Sequence, residues 1–350
     1  MIPYIIILLL LLKAVFLVNK ETEKKLVLAS CFIMFVLGTF RGFTVGTDVH
    51  HYYYNYIYTN FQSSTWNAIM PFEPGFNYFI AFWRIYIYDD YLSFVGALFC
   101  ITNLLMLFFL RKESKRFSVA VLVFFLLGMF QSSMNTMRQW FALSLALPFV
   151  FAYLQTQSIH KKCLCVLMIV VVGSLFHRSV VILALLPIVE RASKVDLGRV
   201  TIIAVIIGSY IFSFISREVL EVIAPFFDLF LERYVSYVLE GEEQSGNRAL
   251  LQTFLISYIV YWKYKKEDII LLLAVLGVIV FNLASSLSTA GGRLAIPLMF
   301  FWPVFLANTF ERKKWSAYNI IVMLSLCILY FDGYVIKNAG ETIPYLFRTF

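Results

Sequence analysis

Charge is scarce in this chain. Only 14% of its 350 residues are Asp, Glu, Lys or Arg, while 61% are hydrophobic. Soluble globular domains carry about 25% charged residues, so an ordinary water-soluble fold is excluded. Apolar/polar alternation in segments of about ten residues is also missing, which removes a transmembrane β-barrel. Cysteine is sparse. Cys31, Cys100, Cys163, Cys165 and Cys327 all lie in or at the edge of apolar segments, so no disulfide framework is expected. Cys163-Leu164-Cys165 is too tightly spaced for a zinc site. No carboxylates carry metal-site spacing, and Asp89-Asp90 reads as a helix boundary. The start, MIPYIIILLLLLK, has neither a basic leader nor a small-residue cleavage site. It is expected to be a retained first span, not a signal peptide.

What fills the chain is apolar sequence of membrane-spanning length. The mean hydropathy is +0.80. Runs near 3–18, 26–40, 92–110, 118–133, 139–155, 163–176, 179–190, 199–216, 249–262, 269–287, 293–310 and 315–331 predict an all-α polytopic membrane protein. That makes about twelve spans. Residues 1–350 are expected to form a single membrane domain.

The net charge of +8 carries no nucleic-acid signal, because the cations sit in short loops between spans. Basic loops mark the cytoplasmic side. They lie at Lys20–Lys25, Arg111–Arg116, His160–Lys162, Arg191–Arg199, Lys263–Lys266 and Arg312–Lys314. The loops near 41–91 and 217–248 then face outward. One segment fits poorly: Gly75–Tyr88 is apolar but short, holds Arg84 and runs into Asp89-Asp90. As a span it would invert the topology, so a re-entrant or interfacial helix is expected. In the second loop, Leu220, Ile223, Phe227, Phe230 and Leu231 have helical spacing. They predict a surface helix or a lid.

Polar residues gather at the outward ends of the spans. Residues 41–56 read RGFTVGTDVHHYYYNY. Gly42 and Gly46 argue for a turn, then a helix capped by Thr47 or Asp48, with Asp48, Tyr52 and Tyr56 on one face. A carboxylate beside apolar membrane-level residues is costly unless capped, paired or used. Further along come Glu73 between prolines, Arg138-Gln139 opening a span, His177-Arg178 at a tight turn, and Gly291-Gly292-Arg293. Each has a bland reading: belt tyrosines, an acidic turn residue, a snorkelling arginine, a histidine bonded to backbone. Under the charge-based topology, however, Arg41, Asp48, Glu73, Arg138, His177 and Arg293 share one membrane face. Several cations beside one or two carboxylates suit an anionic substrate at the bilayer surface, and guanidinium geometry matches phosphate.

The order of these motifs resembles the EpsG family of Wzy-like bacterial polysaccharide polymerases, those of exopolysaccharide and O-antigen included. It runs from Arg41-Gly42 with Asp48 and Tyr52, through E-P-G-F-x-Y at Glu73, M-R-Q-x2-A at Met137 and F-H-x-S at Phe176, to G-G-R at Gly291. The resemblance covers Arg41 to about Pro297. It implies a GT-C-like multi-helix fold in the bacterial inner membrane, with its active face periplasmic. It also implies undecaprenyl-diphosphate-linked oligosaccharide as donor and acceptor. A chain-length regulator and a flippase are the implied protein partners. The matching residues are Arg41, Gly46, Asp48, Tyr52, Glu73, Gly75, Arg138, Gln139, His177 and Arg293.

Such a transfer needs a base for the acceptor hydroxyl, for which Asp48, Glu73 and His177 are the candidates. It needs cations for the departing diphosphate, a role that fits Arg41, Arg138 and Arg293. Tyr52 and Gln139 are expected at the sugar or diphosphate. Neither metal nor other cofactor is required by this scheme. A lipid-linked-sugar flippase would instead show internal repeats and mid-membrane polar residues, and no convincing repeat is found. A non-catalytic subunit that binds lipid-linked sugar is a second rival, and a membrane acyltransferase a third, for which His177 lacks an acidic partner in a local motif.

Overall fold

The computed structural model describes residues 1–16, 19–58, 72–195, 197–215, 246–285, 292–311 and 315–347. The described residues are helical, without a β-strand, and the pairing of Arg41 with Phe347 is an isolated bridge. They form two compact units. The first holds Met1–Ala184, Leu306–Ser316 and Leu326–Phe350; the second holds Leu185–Phe305 and Ala317–Ser325. The expected surface helix or lid at Leu220–Leu231 lies outside the described residues.

In the first unit the helices are α1 (Ile2–Phe16), α2 (Lys20–Thr39), α3 (Val49–Tyr58), α4 (Pro74–Tyr86), α5 (Tyr91–Glu113), α6 (Phe117–Leu126), α7 (Met129–Asn135), α8 (Met137–Gln155) and α9 (Ile159–Phe176). α1 packs along α2, α5 lies against α2 and α8, and α8 pairs with α9. Their ends are set by ordinary capping chemistry. The Asn19 side chain accepts from the Thr22 amide at 3.0 Å and starts α2. Asp90 does the same for α5, accepting from the Ser93 amide at 2.8 Å, and Arg111 and Lys112 close the last turn. Asp89-Asp90 is thus the helix boundary expected from the sequence.

By length and composition, α5, α8, α9 and Ala317–Ile336 are each able to cross a membrane, and a fifth span is made if α6 and α7 count together. Ile2–Phe16, Arg199–Ser213, Ile269–Ser285 and Ile296–Thr309 are shorter apolar helices. The run expected as one span over 118–133 is broken: α6 and α7 meet at an angle of 57°. Gly128 makes the break. Its φ of 70° is left-handed, and the Tyr334 ring packs where a Cβ would stand, 1.7 Å from the nearest ring atom. Gly128→Ala is expected to cost at least about 1–2 kcal/mol for the left-handed backbone, before any cost of moving the ring. A thermal midpoint of the detergent-solubilised variant equal to wild type would refute this role.

The segment expected to span 179–190 also differs. A 3₁₀ helix covers Arg178–Leu185, and an α-helix resumes only at α10 (Leu186–Lys194), with Pro187 in its first turn.

α4 covers the greater part of the segment Gly75–Tyr88. Its 13 residues rise about 20 Å, short of a hydrocarbon core of about 30 Å. Both its ends are anchored to the short α3. At the start, the ring of Phe72 lies 5.4 Å from that of Tyr52. At the far end Arg84 donates to the Tyr56 carbonyl at 2.8 Å and grips Asp89 with Nε at 2.8 Å and Nη2 at 3.3 Å. The hydrogen bond from Arg84 holds the Asp89 carboxyl below the usual carboxylate range. Arg84 is therefore not stranded in an apolar run.

The second unit contains α10, α11 (Arg199–Ser213), α12 (Gly246–Lys263), α13 (Ile269–Ser285) and the short α14 (Ile296–Met299). Asn282 is buried and donates to Ser209 Oγ at 3.0 Å and to Thr253 Oγ1 at 2.9 Å, which ties α11, α12 and α13 together. The chain closes through α15 (Trp302–Thr309) and α16 (Ala317–Tyr330), followed by a π turn over Phe331–Ile336.

Candidate active site

The first unit gathers polar side chains from α3, α4, α7, α8 and the turn after α9. Pro74 opens α4, and its fixed φ suits a first helical position. That leaves Glu73 at the helix start, where a carboxylate faces the positive end of the dipole. Its Oε2 accepts from Arg138 Nη1 at 2.6 Å, and its Oε1 accepts from the Arg178 amide at 3.4 Å. Both carboxylate oxygens are therefore committed.

Arg138 is in the first turn of α8. Its guanidinium lies over the Phe72 ring, 4.1 Å from the centroid. A cation stacked on an aromatic face and paired to one carboxylate oxygen is fixed in plane as well as in position. Its Nε is buried and has no hydrogen-bond partner among the described residues. The backbone amide of Arg138 donates to the Tyr52 hydroxyl at 3.3 Å.

At the next residue, Gln139 Nε2 donates to Ser179 Oγ at 2.9 Å, and that hydroxyl lies 2.8 Å from His177 Nδ1. Gln139–Ser179–His177 forms a chain across the open end of the α8–α9 hairpin. Ser179 stands inside the F-H-x-S motif but was not singled out by sequence. The side chain that follows a turn histidine declares its role only once the turn's 3₁₀ geometry is seen.

Asp48 is half-buried, and its carbonyl accepts from the Tyr52 amide at 3.1 Å. It therefore stands at the N-cap position of α3, as the sequence suggested. Its amide and the Thr47 hydroxyl both donate to Asn135 Oδ1, each at 2.9 Å. Asn135 is the last residue of α7, so the break at Gly128 delivers the group that fixes this loop. Gly46 lies within the turn at a φ of 115°, which only glycine adopts readily.

Arg41 is placed differently from the expectation of an open phosphate ligand. It is 2% exposed, with Nη1 donating to the Met134 carbonyl and Nη2 lying 2.6 Å from Met137 Sδ. Among the described residues it pairs with no carboxylate. Burial pushes its pKa down, opposed by the hydroxyls of Tyr91, Tyr345, Tyr4 and Tyr52. A guanidinium does not deprotonate in proteins, so this is a permanent charge in poor solvation. Its hydrogen bonds brace the junction between α7 and α8.

The structure thus forms two neighbouring hydrogen-bonded groups in the first unit, Tyr52–Arg138–Glu73 and Gln139–Ser179–His177, adjacent in the chain at Arg138-Gln139 and at Arg178, whose amide reaches Glu73. Asp48 stands at the start of α3, and Arg41 is buried against Met134 and Met137. Arg293 belongs to the second unit, where it is exposed. No three His, Cys, Asp or Glu side chains converge as a metal-binding group among the described residues.

A family model described as the EpsG family matches residues 24–347. The chain belongs to the EpsG family of membrane proteins, whose members are associated with polysaccharide biosynthesis. The match extends beyond the motifs at both ends and takes in the C-terminal residues to Phe347. No curated protein and no solved structure matches the chain.

Proposed function

We propose that this protein is a polysaccharide polymerase, a metal-independent glycosyltransferase that joins lipid-linked repeat units. The observation that carries the reading is Arg138, locked by Glu73 and Phe72 while its side chain keeps 20% exposure. It is a preorganised cation able to meet an anion, at the mouth of a membrane-length helix. Such a group suits the charge that develops on a departing diphosphate. In the reaction, a hydroxyl of the acceptor's terminal sugar attacks the anomeric carbon of the donor glycan. The new C–O bond forms as the bond to undecaprenyl diphosphate breaks, and the hydroxyl proton passes to a base.

Glu73 is poorly suited to that last task, since it is ion-paired at 2.6 Å to the permanently charged Arg138, which favours its carboxylate as a counter-ion. Asp48 and His177 are the bases we favour. Asp48 is half-buried at a helix start, and His177 is aligned by Ser179. Arg41, buried against Met134 and Met137, acts as a positioning residue, and Gln139 with Ser179 orients the imidazole. Tyr52 is the hydroxyl that steadies the start of α8. The scaffold is GT-C-like in the sense of a multi-helix bundle with its site at one membrane face. Asp48 and His177 face the periplasm of the inner membrane, where a flippase supplies the units and a chain-length regulator acts on the product.

One feature supports a lipid-linked-sugar transporter instead. The helix broken at Gly128, with polar Gln131, Ser133 and Asn135 just beyond it, is a device transporters use. Product analysis separates the two. Purified protein in vesicles, given lipid-linked repeat units, should yield a ladder of glycan lengths on a gel. Unchanged single units would end the polymerase reading.

The orientation has its own test. His51 and Lys115 are both exposed. Cysteines placed there, in a background lacking the native ones, should react with an impermeant maleimide from opposite sides of the membrane, position 51 from the periplasm. Labelling of both from one side would overturn the charge-based topology.

A further inference from the structure

We propose that the C-terminal segment 338–347 is a working part of the active site: it is the template on which the Arg41–Asp48 loop is held in its catalytic shape. This rests on the polymerase reading for its purpose, but not for its geometry. The loop has few regular backbone partners of its own, and the tail supplies them. The Gly42 amide donates to the Leu346 carbonyl at 2.7 Å. The Gly46 amide donates to Glu341, and the Thr47 amide to Gly340, each at 3.2 Å. Arg41 and Phe347 pair as an antiparallel bridge. The tail therefore grips the loop at both ends, immediately before Asp48 and beside Arg41.

The tail is itself pinned by other parts of the first unit. The Tyr345 hydroxyl donates to the Leu37 carbonyl at the end of α2. The Tyr4 hydroxyl donates to the Thr342 carbonyl at 3.2 Å. Asn338, Gly340 and Glu341 have positive φ values of 47°, 85° and 50°. A run of left-handed residues is held only where the surroundings over-determine it, and such strain clusters at ligand clamps and active sites. Asn338 locks the turn by accepting from the Ile343 amide at 3.0 Å. Asn135 joins the two elements: its Oδ1 holds Thr47 and Asp48, while the position of a Cβ on Gly340 would be 3.3 Å from its Nδ2. Gly42 has no side chain because the tail comes so near. A Cβ there would stand 3.1 Å from the Leu346 carbonyl oxygen.

The test separates folding from positioning by removing the tail after folding. A protease site is placed between Lys337 and Asn338 in the full chain, and the purified protein is cleaved and washed. Val45 is 0% exposed within the gripped loop, so Val45→Cys in a cysteine-free background reports its opening. Loss of the tail should raise thiol labelling at position 45 by about tenfold or more, as local opening becomes accessible. Polymer output should fall by about 10²-fold, the scale of a misplaced catalytic group. A synthetic peptide of residues 338–350 should restore both. Gly42→Val in the uncleaved chain, which forces the tail away from one side only, should raise labelling in the same direction.

Unchanged labelling after tail removal would overturn the proposal, and so would raised labelling with undiminished output. If the uncleaved protein makes no polymer at all, the polymerase reading fails. The labelling then still decides whether the tail shapes the loop.

Discussion

Arg138→Lys is expected to lose about 10²–10³ in polymerisation per mole of folded protein, the usual effect of removing one preorganised donor from a developing anion. Lysine keeps the charge, so charge alone is not the issue. Arg138 is held by an ion pair to Glu73 at 2.6 Å and by stacking on Phe72 at 4.1 Å, and its Nε is buried without a partner. An ammonium can replace the first contact. It cannot lie flat on the ring while presenting further N–H groups in a fixed plane. The same geometry argues against a snorkelling arginine. Such a side chain reaches for lipid phosphate, whereas this one retains only 20% side-chain exposure and turns to Glu73. Wild-type chain-length ladders from a well-expressed Arg138→Lys protein would return Arg138 to a structural role.

Asp48→Asn is the second large effect. Asn caps a helix about as well as Asp. The backbone bonds from the Tyr52 amide and to Asn135 Oδ1 do not involve the carboxylate, so the fold should survive. What disappears is a proton acceptor beside the site. If Asp48 takes the acceptor proton, output falls by about 10²–10⁴. A near-normal ladder would leave Asp48 as a cap and assign the base to His177, whose Nδ1 is already aligned by Ser179.

Much of the site could be read from the chain because its side chains are rare types in an apolar background. Glu73, Arg138, Gln139 and His177 are conspicuous where most neighbours are Phe, Leu or Ile, and the structure pairs Glu73 with Arg138 and links Gln139 to His177 through Ser179. The apolar runs likewise foretold helices. Their continuity was less legible. Gly128 looks like any glycine in a hydrophobic run, and the ring that fills the space of its missing Cβ belongs to Tyr334, a residue distant in the chain. The burial of Arg41 was equally hidden, because a guanidinium can be satisfied by a carbonyl and a thioether that no charge pattern marks. The C-terminal tail was missed for a related reason. It grips the site loop through backbone amides and carbonyls, which carry no sequence signature, and Tyr345 meets Leu37 across 308 positions.

On the proposed function, bond formation and not transport happens at Arg138 and Asp48. The most direct measurement counts glycosidic bonds formed and undecaprenyl diphosphate released by the purified protein in vesicles supplied with lipid-linked repeat units. A polymerase should release one lipid diphosphate per bond formed, with both rates falling together in Arg138→Lys. Repeat units that cross the bilayer with their diphosphate bonds intact, at a rate unaffected by Arg138→Lys, would contradict it.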